Sequence, residues 1–427
     1  MRKYAQYKDS GISWIGDVPE HWETKRLKYV VSCNDETLSE NFDSERQIEY
    51  VEIGDVNEID GIVNSTLYLF KNAPSRARRI TRKNDIIVST VRTYLKAVAK
   101  VDKDGLIVST GFAVLRSKGQ NPSYLGYFSK CDGFTSEVLR FSVGMSYPAI
   151  NNAVLLNFFI TIPPLSEQKA IAEYLDKKTA QINELVSAKQ KQIELLKEYK
   201  QSVIANAVTG KLDERREKRK WKDSGISWIG KIPENWEIKR IRHVFNESDE
   251  KITDNTGELL SLSQYTGVSL KRDCEKVGMF EAETTEGYKI VHRNQFVMNI
   301  MLAWNGSYAV SELEGVISPA YCVFDFIIDC IPKYFHYLLR LKAYAGAFKT
   351  LSKGIIDSRL RLYPSKFYTF PVIIPPLSEQ KEIVSYIEKK VSSIDSQIAS
   401  IENQIANLNE YKQSLISDVV TGKVKVC

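Results

Sequence analysis

The chain has 427 residues, 43% of them hydrophobic, 26% charged and 11% aromatic, a composition that excludes global disorder and supplies roughly two to four domains. No apolar run approaches the roughly 18 residues of a membrane span, and the first residues lack a signal peptide's apolar stretch, so a cytoplasmic protein without membrane contact is expected. Its net charge of +6 suits a polyanionic partner without demanding one.

Read in chain order, the sequence is two copies of one plan. Tyr7-Lys-Asp-Ser-Gly-Ile-Ser-Trp-Ile-Gly16 returns as Trp221-Lys-Asp-Ser-Gly-Ile-Ser-Trp-Ile-Gly230, and Val18-Pro-Glu-His-Trp-Glu23 as Ile232-Pro-Glu-Asn-Trp-Glu237. Ile162-Pro-Pro-Leu-Ser-Glu-Gln-Lys169 returns as Ile374-Pro-Pro-Leu-Ser-Glu-Gln-Lys381, and Val208-Thr-Gly-Lys211 as Val420-Thr-Gly-Lys423. These anchors divide the chain into a first globular domain (1–162), a helical region (163–210), a linker (211–220), a second globular domain (221–374) and a C-terminal helical region (375–427). The stretches between the anchors share little beyond length. Two units of one shape with different surfaces suit a molecule that reads two targets in one geometry.

The first globular segment contains two strand-like runs, Asp85–Val91 and Leu106–Leu115, with a helix expected near Tyr124–Lys130. Residues 71–83 carry Lys and Arg with no acidic residue. Here Arg76, Arg78, Arg79 and Arg82, followed by Ser89, Thr90, Arg92, Tyr94 and Lys96, are candidate nucleic-acid contacts. Arg matches guanine edges, and Lys, Ser, Thr and Tyr hold phosphates. A solvated charged face is the bland alternative. The loop Ser142-Val-Gly-Met-Ser-Tyr-Pro148 adds Ser142, Ser146 and Tyr147, because its glycine allows close backbone approach. It suits a groove-entering loop or a simple turn.

The first helical region opens after Pro163-Pro164, with Ser166 as the expected N-cap. Its apolar seam runs through Leu175, Ile182, Val186, Ile193, Leu196 and Val203, with Lys189 as an interruption. A helix of about 40 residues, roughly 60 Å long, is expected, stopped by Gly210. Residues 211–222 read as a mixed-charge linker.

In the second copy, strands are expected at Gln295–Met301 and Ala320–Ile328 and a helix near Tyr334–Tyr344. Candidate contacts are Asn299, Trp304, Asn305, Lys349, Lys353, Ser358, Arg359 and Arg361. The C-terminal helix, with Ser378 as N-cap and Gly422 as stop, carries a/d heptads through Ile387, Val391, Ile394, Ile398, Ile401, Ile405, Leu408 and Leu415. A single apolar seam must be buried. Antiparallel pairing of the two helices within one chain does so, and two separate dimerising coils are the alternative. The expected fold class is α+β: two globular domains separated by two long helices in an antiparallel coiled coil, with a pseudo-twofold repeat.

Few catalytic signatures are present. No P-loop, G-x-G-x-x-G or Asn/Asp-Pro-Pro-aromatic motif occurs. The six cysteines, Cys33, Cys131, Cys274, Cys322, Cys330 and Cys427, form no C-x-x-C pair, and the four histidines match no zinc spacing. Neither a disulfide framework nor a metal site is expected. Glu23-Thr-Lys25 and Glu237-Ile-Lys239, with Asp9 and Asp223 upstream, have the short E-x-K form of metal-dependent nucleases, a common pattern.

The Lys-Asp-Ser-Gly-Ile-x-Trp-Ile-Gly entry, the twin Ile-Pro-Pro-Leu-Ser-Glu-Gln helix starts and the repeated order of parts closely resemble the specificity (S) subunits of type I restriction–modification enzymes, over nearly the whole chain. The resemblance implies a non-catalytic subunit. Each target-recognition domain would read one half of a bipartite site in double-stranded DNA, and the spacer helices would set the gap. Two methyltransferase (M) subunits would dock on the helices, with S-adenosylmethionine on those partners. Restriction (R) subunits would bring ATP- and Mg2+-dependent cleavage, and no cofactor would bind this chain directly. Base-contacting residues vary within the family, so the contacts named above rest on chemistry and location. A coiled-coil scaffold that binds proteins, not DNA, is the competing class.

Overall fold

A computed structural model describes residues 2–212, 219–254, 256–274, 284–354 and 360–426. Two compact units emerge, residues 1–191 with 400–427 and residues 192–399. Each combines a globular part with portions of two helices, Leu165–Val208 and Leu377–Val420, both 44 residues long. The heptad seam is continuous and free of proline, so nothing interrupts either helix. Most of the linker, 213–218, lies outside the described residues.

In the first unit a four-stranded antiparallel sheet has the order Val98–Lys100, Ile86–Ser89, Phe112–Ser117, Val31–Cys33. A second sheet has the order Thr66–Leu69, Gln47–Val51, Ile107–Ser109, Ala77–Ile80, with one parallel pair. The run Leu106–Leu115, expected as one strand, is therefore two strands in different sheets. The chain turns at Thr110-Gly111, where a Cβ on Gly111 would collide with the Ile53 side chain (2.7 Å). The apolar stretch is continuous because both strands are buried, a case that periodicity cannot resolve.

The second unit repeats the first sheet as Phe245–Ser248, Tyr321–Phe326, Phe296–Asn299, Tyr308–Val310. The expected strands are shorter by a few residues than foreseen. The helix expected near Tyr334–Tyr344 is two helices, Pro332–Leu339 and Lys342–Leu351, matching Pro122–Lys130 and Asp132–Arg140 in the first unit. Extended Leu341 (φ −61°, ψ 138°) breaks the helical run.

The repeated motifs close each unit's core. Pro163-Pro164 follows the strand Phe159–Ile162, and the Pro164 carbonyl accepts the first helical bond from Gln168 N–H (2.9 Å). Ser166 and Ser378 are thus inside the first turn and are not the N-caps, because the helices start at Leu165 and Leu377, two residues earlier than expected. Glu167 accepts the indole N–H of buried Trp22 (2.7 Å), and Glu379 that of Trp236 (3.1 Å). Gln168 spans the Asn121 N–H (2.9 Å) and the Pro163 carbonyl (2.9 Å), and Gln380 the Ile331 N–H and Pro375 carbonyl in the same way. The Glu-Gln of the helix start is a clamp between helix, entry motif and core.

The far helix ends are held as well. In the first unit the buried Tyr124 hydroxyl is within reach of the Thr161 (2.9 Å) and Val420 (3.2 Å) carbonyls. In the second, Tyr334 does the same for Ile373 (3.2 Å) and Val208 (3.1 Å). Gly210 and Gly422 end the helices at φ 75° and 77° and lie against Pro233 and Pro19.

All expected seam residues are wholly or partly buried. In the first unit these are Leu175, Ile182, Ile401 and Leu415, with Val186, Ile405 and Leu408 partly covered. In the second they are Ile193, Val203, Ile387, Ile394 and Ile398, with Leu196 and Val391 partly covered. Within the first unit Asn183 meets Lys412 (2.9 Å) and Lys189 meets Gln404 (2.5 Å), so the segments run antiparallel. Lys189 does not break the seam, because its amine finds an amide oxygen across it. Within the second unit Lys200 pairs with Asp395 (2.8 Å).

Gly422→Ala and Gly210→Ala place a Cβ into proline and tryptophan at a left-handed backbone. Each should cost about 2–4 kcal/mol by urea denaturation, more than an exposed Gly105→Ala. His336 offers a pH test. Its Nδ1 accepts the Val310 N–H (3.4 Å), and burial, with Arg340 and Lys333 nearby, pushes its pKa down to about 4. Above pH 6.5 it is neutral whether folded or unfolded. Between pH 6.5 and about 4 the unfolded chain takes up a proton that the folded chain refuses, so stability is lost, by about 3 kcal/mol once complete. His336→Gln should be the less stable protein at pH 7 and close that gap as the pH falls.

Candidate nucleic-acid interface

In each unit a short turn and a hairpin lie side by side beyond the edge of the four-stranded sheet. In the first unit the chain leaves strand Ile86–Ser89 and makes a 3-10 turn, Thr93–Leu95, flanked by left-handed Arg92 (φ 55°) and Lys96 (φ 46°). Non-glycine residues adopt that conformation at a cost of roughly 1–2 kcal/mol each. Surrounding bonds hold it. Thr93 Oγ1 donates to Ser142 Oγ (2.8 Å), Ile150 N–H donates to the Thr90 carbonyl (2.9 Å), and Lys96 pairs with Glu58 (3.0 Å) and Asp132 (3.3 Å). Burial pulls the Lys96 pKa down, but the two carboxylates outweigh it and hold it above the ordinary value. The hairpin is pinned where Val143 and Ala149 exchange backbone bonds (2.8 and 3.0 Å), and its tip begins at Gly144 (φ 117°).

The second unit builds the same frame from other residues. After strand Phe296–Asn299 comes the turn Ala303–Asn305, closed by left-handed Gly306 (φ 96°). Leu362 N–H donates to the Ile300 carbonyl (3.0 Å), and Lys353 and Arg361 exchange backbone bonds (2.9 Å each) ahead of Gly354 (φ 149°). Ser142 and Ser352 both cap the preceding helix, through the Val138 (2.7 Å) and Phe348 (2.9 Å) carbonyls. Tyr94 and Trp304 occupy equivalent turn positions. The pairs at the hairpin base differ in kind: Val143/Ala149 is apolar, Lys353/Arg361 cationic.

Several residues of the expected contact set are exposed. Arg92, Tyr94, Ser146 and Tyr147 are exposed together, with the Arg92 guanidinium 5.0 Å from the Tyr147 ring centroid. Arg76 is exposed nearby, its carbonyl accepting Thr110 N–H (2.8 Å). In the second unit Lys349 and Lys353 are exposed and Arg361 is half-buried, with Lys349 Nζ 5.1 Å from the Trp304 ring, while Trp304 Nε1 donates to the Met301 carbonyl (3.0 Å) and Asn305 Oδ1 accepts from Ser307 Oγ (2.8 Å) within the turn. Ser358 and Arg359 lie outside the described residues.

Other members are corrected. Ser89, Thr90 and Asn299 are buried and serve their own backbone. Ser89 Oγ donates to the Val91 carbonyl (2.5 Å), Thr90 Oγ1 to that of Gly111 (2.9 Å), and Asn299 Oδ1 accepts Met301 N–H (2.9 Å). Ser142 is likewise spent on the helix end, and Lys96 on its two carboxylates. In the basic run, Arg78 stacks on Phe70 (5.0 Å), Arg79 donates to Thr37 Oγ1 (3.2 Å) and Arg82 pairs with Glu36 (2.7 Å). Residues 77–80 of that run are the edge strand of the second sheet, and Arg78, Arg79 and Arg82 are partnered locally. Within the loop 142–148 sequence reading selects only the residues that can hydrogen-bond, and so passes over Val143 and Met145.

The E-x-K residues have local roles. Glu23 pairs with Lys25 and Glu237 with Lys239 (2.7 Å) on exposed strands, and Asp9 and Asp223 accept the Gly11 (2.8 Å) and Gly225 (2.9 Å) N–H of tight turns. Among the described residues no group of three or more His, Cys, Asp and Glu is placed to hold a metal ion.

The chain is similar in sequence and fold to known proteins. Residues 19–195 match the family model described as the type I restriction modification DNA specificity domain. The chain is 25% identical to the type I restriction enzyme MjaVIII specificity subunit of Methanocaldococcus jannaschii, over 48% of this chain and 50% of that one, so it spans about half that relative's length. It is 24% identical to the putative MjaX specificity subunit of the same organism over 96% of both chains. The fold is similar to a solved chain from a study of type I R-M system assembly and conformational transition, with a TM-score of 0.68, 19% identity, and coverage of 95% of this chain and 99% of that one.

Lys96 gives a test of the turn. Lys96→Ala loses two ion pairs while keeping the left-handed backbone, and should destabilise by about 1 kcal/mol in urea denaturation. Lys96→Gly loses the same pairs but sheds the conformational cost, and should be the milder change.

Proposed function

We propose that this chain, which belongs to the family of type I restriction–modification specificity subunits, is the DNA sequence-recognition subunit of such a complex. Each unit reads one half of a bipartite target in double-stranded DNA. The observation that carries this reading is the repeated turn-and-hairpin frame bearing different chemistry in the two units. A binding surface that had to recognise one target twice would keep its side chains; this one keeps its backbone bonds and the serine at the helix end, and changes its exposed side chains. A protein-binding scaffold gives no reason for that combination.

In this reading the turn and hairpin side chains supply base and phosphate contacts, and the paired helices set the gap between half-sites and dock two M subunits. Those subunits hold S-adenosylmethionine and transfer the methyl group. R subunits supply ATP- and Mg2+-dependent cleavage, while this chain holds no cofactor and does no chemistry. The complex works in the cytoplasm, where the host DNA is. No helix among the described residues is long and apolar enough to cross a membrane.

The decisive experiment maps N6-methyladenine across the host genome with the gene intact and deleted. Loss of one split motif, all others unchanged, is expected; an unaltered map counts against the reading. In binding assays on that motif, Arg92→Ala should weaken recognition of one half-site only. The pair Lys353→Ala/Arg361→Ala should weaken binding and flatten its salt dependence by about one to two in logarithmic slope.

A further inference from the structure

The tip of the first unit's hairpin is apolar where it is most exposed. Met145 is 102% exposed, Val143 81% and Tyr147 61%, and neighbouring Phe141 and Tyr94 are 45% and 52% exposed. None of these belongs to the core, and clustered exposed apolar side chains mark a surface that meets something. The tip is not loose. Its base is tied by the Val143–Ala149 bonds and joined to the turn by Thr93 and Ile150, with Arg92 lying over Tyr147.

The occupant follows from shape and chemistry, and rests on the DNA-recognition reading above. A hairpin is a two-stranded ribbon. The major groove, about 12 Å wide, admits one, and only there do the base pairs present a methyl group. Within the major groove the one apolar group a standard base presents is the C5-methyl of thymine. Met145 is a flexible, unbranched side chain that adapts to a small apolar target. Arg92, lying over Tyr147 of the same hairpin, brings the cation that the same groove's phosphates or guanine edge require.

We infer that Met145, at the hairpin tip, contacts a thymine methyl group in the half-site read by the first unit. The tip of the second unit's hairpin, 355–359, lies outside the described residues, and the inference is confined to the half-site read by the first unit.

The test uses the full chain purified with its M subunits and duplexes carrying the mapped bipartite target. Each thymine is replaced in turn by deoxyuridine, which removes the methyl and keeps the base pair. Binding is read by fluorescence anisotropy. Burying one methyl corresponds to about fourfold in affinity, so at least one position in one half-site should weaken about fourfold on replacement. In the Met145→Ala complex that position should become indifferent to the methyl, while Met145→Leu keeps the dependence. A half-site pair with no methyl-sensitive thymine, or sensitivity unchanged in Met145→Ala, overturns the inference and leaves DNA recognition standing. Binding to the target no tighter than to a scrambled duplex removes the recognition reading itself, and this inference with it.

Discussion

Each unit depends on satisfying the carbonyls at the end of a long helix inside an apolar core. A helix leaves its last carbonyls unpaired, and burying them unpaired is costly. Here buried tyrosines, Tyr124 and Tyr334, aim their hydroxyls at Val420 and Val208. A glycine then turns the chain away against Pro19-Trp22 or Pro233-Trp236. The tryptophan in turn donates to the glutamate that opens the other long helix of that unit. Helix end, entry motif and helix start thus form one bonded circuit. The conserved spacing between the two copies is that circuit written twice, and the sheets and hairpins are attached to it.

What was readable from the sequence follows from how local each signal is. The seam from Leu175 to Val203 and from Ile387 to Leu415 is a period of seven, visible without knowing any partner, and every position proved at least partly buried. The split of Leu106–Leu115 between two sheets was hidden because both halves are buried. The contact set fared less well. Ser89, Thr90 and Asn299 have side chains that bond either to phosphate or to their own turn, and composition does not say which. Burial decided for the turn. Arg78, Arg79 and Arg82 look like a polyanion site as a run, yet Phe70, Thr37 and Glu36 lie far enough away in sequence that the run alone could not reveal them. Met145 lies in the loop singled out from the sequence, but only the residues there that can hydrogen-bond, Ser142, Ser146 and Tyr147, count as contacts on sequence alone, and its full exposure shows only in the structure.

Backbone and side chains carry separate tasks in the turn-and-hairpin frame. Its hydrogen bonds are main-chain exchanges, such as Val143 with Ala149 and Lys353 with Arg361, that any residue but proline can make. The surface is therefore free to change without disturbing the fold. The exceptions are the left-handed positions. Gly306 fills one without strain, whereas Lys96 fills its equivalent with help from Glu58 and Asp132. That lysine is less free to vary than its exposed neighbours.

The membership of the two units also has a bearing on synthesis. The second unit is one unbroken stretch, 192–399, while the first needs residues 400–427 as well as 1–191. On a ribosome, residues 1–191 cannot complete their core until residues 400–427 have emerged. Leu415, Ile416, Val419 and Val420 supply that closing surface. The stretch 192–399 is therefore whole before the first unit is, and residues 1–191 wait, with Trp22 and Tyr124 lacking their final partners, while those two hundred or so residues are made. A chain cut short just after residue 399 would keep the second unit whole and leave the first open, making that open core the first target for chaperones and proteases.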